Sequence, residues 1–276
     1  MDLRLPLEVG ARYTNRSQTI RVMSETWVGS SIFCPNCGNN LTRFQNNKPV
    51  ADFYCKNCTE QYELKSKNGH LGIKIIDGAY STMIQRLSEE TNPNLFLLTY
   101  NTVSFDVTSF LAIPNYFFSE EIIEKRNPLA ENAKRAGWIG CNIAFKKIPE
   151  LGKIYYVRNG EFLRKDKILE NWNQTIFVKE SENKDARGWT LDTLICVEKI
   201  NKIEFTLEDI YQFKDLLRNK HPQNNNIEAK IRQQLRLLRD KNIIDFTGRG
   251  RYKIRSKQYV YNSRTKNTTV KRDWVY

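Results

Sequence analysis

Four cysteines in two close pairs are the first residues whose type and spacing predict a chemical role. Cys34 and Cys37 form one C-x2-C pair, Cys55 and Cys58 form a second, and 17 residues separate the two pairs. Two such pairs supply the four thiolates that tetrahedral Zn²⁺ prefers. Four unliganded or disulfide-paired thiols are the alternative, which an intracellular chain disfavours. Because four thiolates leave no open coordination position, we expect this zinc to be structural.

A second group of residues combines carboxylates with an amine. Asp52 precedes the second cysteine pair, and Glu63 and Lys65 follow it at positions i and i+2, on one face of a predicted strand. Two carboxylates at one place can bind Mg²⁺, and a nearby lysine can hold a phosphate oxygen or help to deprotonate a water. Phosphodiester hydrolysis needs such a combination of a bound metal ion and a nearby cationic side chain.

The pattern D-x10-E-L-K is similar to the PD-(D/E)-x-K nuclease signature, but its proline, Pro49, stands three residues before Asp52 rather than beside it. Glu-x-Lys alternation is also common on solvated strands, and the motif alone favours that alternative. The cysteine pairs around it and a basic C-terminal region favour a nuclease.

The elements that must position these residues are of mixed type. Apolar alternation and short apolar runs predict strands over residues 50–54, 61–67, 95–100, 107–113 and 154–157, and a helix over 77–87. A polar, aperiodic stretch over 179–187 is typical of a linker. A helix capped by Thr206, a second helix over 226–240 and a hairpin around 248–252 then follow in the order of a winged helix.

The positive charge of the chain indicates a polyanionic partner. The net charge is +13, and residues 230–276 alone contribute +11, from 14 Lys and Arg against three Asp. Nucleic acid is the commonest such partner, and a membrane surface would require a basic amphipathic anchor or a lipidation motif that the sequence lacks. No apolar run reaches 18 residues, and residues 1–10 have no signal pattern, so we expect a cytoplasmic, intracellular protein that does not bind membranes.

The helix over 226–240 has one apolar face and one basic face. Ile227, Ile231, Leu235 and Leu238 recur at helical spacing, which predicts that they face the core. Arg and Gln on the other side are the side chains that read guanine and adenine in the major groove, and basic residues of the hairpin would contact phosphates. A solvated basic helix is the alternative. The predicted DNA-binding residues of this region are Lys230, Arg232, Gln233, Arg236, Arg249 and Arg251.

Several stretches together resemble the DpnI-like family of methyl-directed restriction endonucleases. They are PVADFYC at 49–55, ELKSK at 63–67, DGAY at 77–80, RAGWIGCN at 135–142 and KIRQQL at 230–235. The likeness runs from the N-terminus to about residue 254. It implies a mixed α/β PD-(D/E)-x-K core with an embedded four-cysteine zinc site, followed by a winged helix. It also implies catalysis by Asp52, Glu63 and Lys65, with Mg²⁺ on Asp52 and Glu63, at GATC sites whose adenine is methylated.

Trp138 has two interpretations. A tryptophan between Gly137 and Gly140 can be presented on an irregular loop, where a flat ring would contact an added methyl group. From periodicity alone a buried core tryptophan is favoured. The family resemblance favours methyl recognition, so we count Trp138 among the DNA-binding residues.

These predictions combine into one domain plan. Residues 1–182 form the endonuclease domain with its structural zinc, 183–255 form the winged helix, and 256–276 form a basic extension of unassigned role. We expect a monomeric type II restriction endonuclease of a restriction–modification system that acts on double-stranded DNA. A non-catalytic zinc and winged-helix regulator is the main alternative, and an RNA-processing nuclease is a third.

Overall fold

The computed structural model describes residues 2–44 and 51–255. Three of the predicted features fall outside the described residues. They are Pro49, Val50 at the start of the strand predicted over 50–54, and the basic extension over 256–276. The chain divides into two compact units, Met1–Ile148 with Gly152–Thr175, and Pro149–Leu151 with Ile176–Tyr276.

The first unit is mixed α and β, as the sequence predicts. Its helices and strands are, in chain order, α1 (Leu7–Gly10), α2 (Arg16–Ser31), β1 (Thr42–Arg43), β2 (Phe53–Tyr54), β3 (Gln61–Asn68), β4 (Ile75–Ala79), α3 (Tyr80–Ser88), β5 (Asn94–Tyr100), β6 (Val107–Ile113), β7 (Ile123–Lys125), β8 (Gly140–Ile143), β9 (Ile154–Arg158), β10 (Glu161–Phe162) and α4 (Lys165–Asn173). Short 3-10 helices cover Asn115–Phe117, Glu120–Ile122, Phe145–Lys147 and Glu150–Gly152.

A seven-stranded sheet in the order β1-β2-β3-β5-β6-β9-β10 forms the body of this unit. Its strands pair antiparallel except β3 and β5, which run parallel with Glu63 opposite Leu95 and Lys65 opposite Leu97. Every residue of β5 is buried, which confirms the strand predicted from its continuous apolar run. Aromatic rings fill the core beside it, where Tyr62 stacks on Phe96 with ring centroids 4.3 Å apart.

A smaller sheet in the order β4-β8-β7 carries a correction to the predicted helix over 77–87. The helix begins only at Tyr80, and Asp77 lies in β4, opposite Cys141 of β8. The prediction is wrong at its first three residues because pairing with a distant strand overrides the local helical pattern.

The second unit has the element order of a winged helix. It contains α5 (Ile176–Lys179), α6 (Lys184–Ile200), β11 (Glu204–Thr206), α7 (Leu207–Tyr211), α8 (Lys214–Lys220), α9 (Ile227–Asp240), β12 (Ile244–Gly248) and β13 (Arg251–Ile254). The strands form an antiparallel sheet in the order β11-β13-β12. Thr206 caps α7 through a capping box with Asp209, as predicted.

The apolar face predicted for α9 is confirmed, since Ile227, Ile231, Leu235 and Leu238 are all buried. The linker predicted over 179–187 is wrong from Lys184 onward, because α6 begins there with Asn183 as its N-cap. Within the described ranges, every helix is too short or too polar to span a lipid bilayer.

Candidate functional site

The four paired cysteines converge at one point of the first unit. Their Sγ atoms lie within 4.8 Å of one another, and the pairs Cys34–Cys58 and Cys37–Cys55 approach to 3.4 Å. A tetrahedral Zn²⁺ with Zn–S bonds of about 2.3 Å would separate its sulfurs by about 3.8 Å. The donor set and its spacing therefore fit a structural metal ion such as zinc.

Each cysteine pair is held in a tight turn. The N–H of Gly38 donates to the carbonyl of Cys34 at 2.8 Å, and the N–H of Thr59 donates to the carbonyl of Cys55 at 3.0 Å. Gly38 and Thr59 both have positive φ, 75° and 61°, so each turn folds back directly after its second cysteine. This shared geometry brings the thiols of both pairs together.

Cys141 and Cys196 lie outside this cluster. Both are fully buried, with exposed fractions of 0% and 1%, and pack as small apolar residues.

The predicted carboxylates and lysine are also brought together. Asp52 lies directly before β2, where its N–H donates to the carbonyl of Tyr62 at 2.9 Å and its Oδ2 accepts from the N–H of Leu64 at 2.7 Å. On β3, the Nζ of Lys65 lies 2.5 Å from Oε1 of Glu63. The three predicted catalytic residues therefore lie on β3 and in the segment that leads into the neighbouring β2.

Asp77 is a further acidic residue of this site that the spacing of the motif did not reveal. Its Oδ1 lies 2.7 Å from Nζ of Lys65, and its side chain is only 10% exposed. Asp77 reaches the site from β4 of the smaller sheet. Its one sequence signal is the DGAY stretch of the family resemblance, since no spacing relates it to Glu63 and Lys65.

Carboxylates outnumber ammonium groups around Lys65, and this affects the pKa of each group. Burial raises the pKa of both Asp52 and Glu63, and Asp77 raises that of Glu63 further, although Lys65 acts in the opposite direction. Burial alone would lower the pKa of Lys65, but Glu63 and Asp77 outweigh it and the pKa is raised. One ammonium group thus serves three carboxylates. Such a surplus of hard oxygen donors fits a divalent cation, and Asp52 and Glu63 are the residues that would hold it.

Helix α2 contributes a buried acid beside Asp52 that sequence reasoning also missed. Glu25 is 3% exposed and forms ion pairs with Arg21, at 2.6 Å, and with Arg43. The charge of Glu25 raises the pKa of Asp52, and Arg21 lowers it. The Glu25 carboxylate is therefore already engaged by two guanidinium groups, unlike the carboxylates around Lys65.

Trp138 lies in the loop between β7 and β8 and is half-buried rather than part of the core. The loop is closed by hydrogen bonds between Leu129 and Trp138 at 2.9 Å and between Leu129 and Gly137 at 3.0 Å. The guanidinium of Arg135 lies 4.8 Å from the centre of the indole ring. A side chain at Gly140 would meet the indole at 2.8 Å, so the glycine leaves room for this ring. The core interpretation of Trp138 is therefore wrong.

The outer face of α9 is exposed as predicted, with Arg232, Gln233 and Arg236 all open to solvent. Arg232 also contacts the hydroxyl of Tyr211 at 2.5 Å. Lys230 is only half-exposed, and its Nζ lies 5.9 Å from the ring centre of Trp189 on α6. Arg249 and Arg251 are exposed at the turn between β12 and β13.

Comparison with known protein families covers both units. A family model described as DpnI, Dam-replacing family, matches residues 1–181. A second model, described as the Dam-replacing HTH domain, matches residues 185–254.

Proposed function

Because the chain belongs to the DpnI, Dam-replacing family, whose members are methyl-directed restriction endonucleases, we propose that it cuts double-stranded DNA at GATC sites with methylated adenine. The proposed reaction is Mg²⁺-dependent hydrolysis of the phosphodiester bond, as in type II restriction endonucleases. A structural zinc ion on the four cysteines supports the site.

The observation that carries this proposal is the arrangement around Lys65. Its ammonium lies 2.5 Å from Glu63 and 2.7 Å from Asp77, and the charges of Asp52 and Lys65 both act on the Glu63 carboxyl group. Partial burial of several charges costs free energy, and groups of charges with perturbed pKa values are concentrated at functional sites. A DNA-binding regulator would have no use for it, so the arrangement favours a nuclease.

Each residue has a distinct proposed role. Asp52 and Glu63 hold Mg²⁺, which would polarise the scissile phosphate and lower the pKa of the attacking water. Lys65 remains charged because two acids flank it, so its ammonium can neutralise charge that develops on a phosphate oxygen. Asp77 positions the Lys65 ammonium through their 2.7 Å contact.

Recognition of the site is divided between the two units. We propose that Trp138 contacts the adenine methyl group, and that Arg232, Gln233 and Arg236 on α9 read base edges with Lys230 beside them. Arg249 and Arg251 contact backbone phosphates, which fix the register of the winged helix on the duplex.

The experiment that tests the function is digestion of one plasmid prepared with and without adenine methylation, each with Mg²⁺ and with EDTA. We expect fragments only from methylated plasmid with Mg²⁺. Retarded migration without cutting in every reaction would support the regulator instead. Equal cutting of both plasmids would refute methyl direction while keeping the nuclease, and cutting in EDTA would refute metal dependence.

A further inference from the structure

A cavity of about 440 Å³ opens between α2 and β3 in the first unit. Asp52 and Leu64 form its wall on the side of the proposed catalytic residues. The cationic side chains of Arg16, Arg21 and Lys67 also line it. This cavity is therefore continuous with the proposed catalytic site but lies outside the set around Lys65.

Some of the cationic side chains that line this cavity are paired with an acid, and others are not. Arg21 is paired with Glu25 at 2.6 Å, so its charge is balanced inside the cavity. Arg16 and Lys67 are exposed and have no ion-pair partner among residues 2–44 and 51–255. The two uncompensated cations favour an anionic ligand.

Neutral hydrogen-bond donors surround the same space. They include the side chains of Ser17, Ser66, Asn68 and Tyr100. Burial raises the pKa of the Tyr100 phenol, so its hydroxyl keeps the proton and can donate. Arginine, lysine, serine, asparagine and tyrosine side chains are the donors that commonly contact DNA phosphates.

A divalent cation is a poorer occupant. The cavity contains two acids, but Glu25 is held by Arg21 and Arg43, and Asp52 lies on the wall shared with the proposed Mg²⁺ site. A second cation deeper in the cavity would be repelled by Arg16 and Lys67. The charge balance beside these two residues therefore favours an anion.

We propose that this cavity binds one backbone phosphate of the DNA strand that is cut, adjacent to the scissile phosphate, with Arg16 and Lys67 as its charged contacts. Adjacency follows because Asp52 is shared between the cavity wall and the proposed metal site. This inference rests on the proposed nuclease function, and it assigns to this chain a phosphate-binding subsite that orients the strand for cutting.

The test removes one charge at a time, either from the protein or from the DNA backbone. A series of methylated GATC duplexes is prepared, and in each duplex a neutral methylphosphonate replaces a single phosphate. The replaced position differs from duplex to duplex and covers the phosphates near the scissile one. Single-turnover cutting rates at subsaturating enzyme are measured with wild type, Arg16→Gln and Lys67→Gln. Lys146→Gln is the matched control, since Lys146 is exposed in the same unit and does not line the cavity.

Neutralising one particular phosphate should slow the wild type by about tenfold, the usual loss for a charged hydrogen bond. Arg16→Gln and Lys67→Gln should be slower on the unmodified duplex by a similar factor, and that one methylphosphonate should slow each of them by less than it slows the wild type, because one of the two charged contacts of this phosphate is already lost. Lys146→Gln should respond as the wild type does. The subsite would be overturned if the rate losses from the substitution and from the methylphosphonate multiply at every position. It would also be overturned if both variants cut all duplexes as fast as the wild type does.

Binding of the same duplexes in EDTA separates this inference from the nuclease proposal. If wild type binds the duplexes in EDTA but does not cut them when Mg²⁺ is added, the nuclease proposal fails. The subsite would still be supported if the loss of affinity from one methylphosphonate is smaller in Arg16→Gln or Lys67→Gln than in wild type. If the two losses of affinity are independent at every position, the subsite is refuted. Melting temperatures equal to that of wild type should show that these exposed substitutions leave folding intact.

Discussion

Lys65 is charged because Glu63 and Asp77 flank it, and this local balance leads to the first prediction. Lys65→Ala removes the ammonium that would stabilise a phosphate oxygen, so kcat should fall by about 10²- to 10⁴-fold. Asp52→Ala should abolish cutting because it removes a proposed Mg²⁺ ligand. DNA affinity should persist in both variants, since the winged helix is a separate compact unit. Cutting rates and binding isotherms on the methylated duplex measure the two effects.

The control for this pair is Asp166→Ala, a carboxylate of the same unit that is 65% exposed and paired only with Arg164 on the surface. It should cut as the wild type does. A Lys65→Ala or Asp52→Ala enzyme within a fewfold of the wild-type rate would show that these residues are not catalytic.

Trp138 is the residue proposed to sense the methyl group. Its half-exposed ring offers a flat apolar surface, and burying one methyl there contributes about 1 kcal/mol. Trp138→Ala should therefore still bind methylated DNA through the winged helix but lose much of its preference in cutting. The readout is the ratio of initial rates on methylated and unmethylated GATC duplexes. An unchanged ratio would remove Trp138 from methyl recognition.

The sequence pattern predicts the members of the candidate site that are close in the chain but not those that reach it from other elements. Asp52, Glu63 and Lys65 lie on two strands joined by one cysteine turn, so their proximity follows from short-range pattern alone. Asp77 and Glu25 come from β4 and α2, and only the tertiary fold brings them close. Residue spacing in a single sequence holds no signal for such contacts, and only the family resemblance points to the stretch that contains Asp77.

At the scale of elements, β2 and β3 connect the cysteine cluster to the carboxylates of the proposed catalytic site. Asp52 stands directly before β2 and Cys55 directly after it, while the Tyr62 hydroxyl contacts Cys34 Sγ at 3.1 Å and Glu63 is the next residue. We therefore expect a change at the cysteine cluster to disturb β2 and β3 and with them the positions of Asp52 and Glu63.

The first prediction at this scale follows from that connection. Cys55→Ser should lower zinc content below one ion per chain, reduce stability on the order of several kcal/mol and abolish cutting, because metal binding is coupled to folding. Cys196→Ala is the control, since Cys196 is buried outside the cluster. Metal analysis, thermal melting and cutting assays report the three effects. A stable, fully active Cys55→Ser protein without zinc would contradict the structural role.

Helix α9 and the hairpin of β12 and β13 should contribute differently to DNA recognition. Arg236 is exposed on α9, so Arg236→Ala should relax sequence preference, with a loss of about 1–3 kcal/mol that is confined to the matched site. Arg251→Ala should weaken all sequences about equally and reduce the salt dependence of binding. Affinities on matched and mismatched duplexes at several salt concentrations distinguish the two, and identical behaviour of both variants would refute this division.

Local periodicity predicted elements well where a segment packs by its own pattern. The strands over 61–67 and 107–113 and the buried face of α9 are confirmed for this reason. Periodicity failed at residues 77–79, where pairing with β8 makes a strand, and at 184–187, where the Asn183 cap starts α6 within a polar stretch. In both places a specific partner, absent from the local pattern, decided the conformation.

For the whole molecule, the energetics of methyl recognition favour two readers. Two methyl groups, one on each strand, contribute about 2 kcal/mol when both are buried, which is about thirtyfold. An enzyme that must spare unmethylated DNA needs more discrimination than this. If the nuclease unit and the winged helix each sense the methyl groups, their preferences multiply.

The last prediction tests this division by separating the units. The second compact unit begins again at Ile176 after the segment Pro149–Leu151, and α5 is part of it, so a fragment of residues 176–276 should fold and bind DNA alone. Its affinity should fall steeply as salt rises, because basic side chains displace counterions from phosphates. A fragment starting at residue 183, the boundary predicted from the sequence, should be less stable because it lacks α5.

Residues 1–182 should in turn cut slowly and keep a methyl preference of their own, measured as the ratio of rates on methylated and unmethylated duplexes. Multiplying that ratio by the methyl preference of the 176–276 fragment in binding should approach the ratio of the full chain. If all discrimination between methylated and unmethylated DNA resides in one fragment, the two-reader arrangement is wrong. A single unit would then have to exceed the thirtyfold preference that methyl burial supplies. Polar groups left unpaired beside unmethylated adenine could provide the additional penalty.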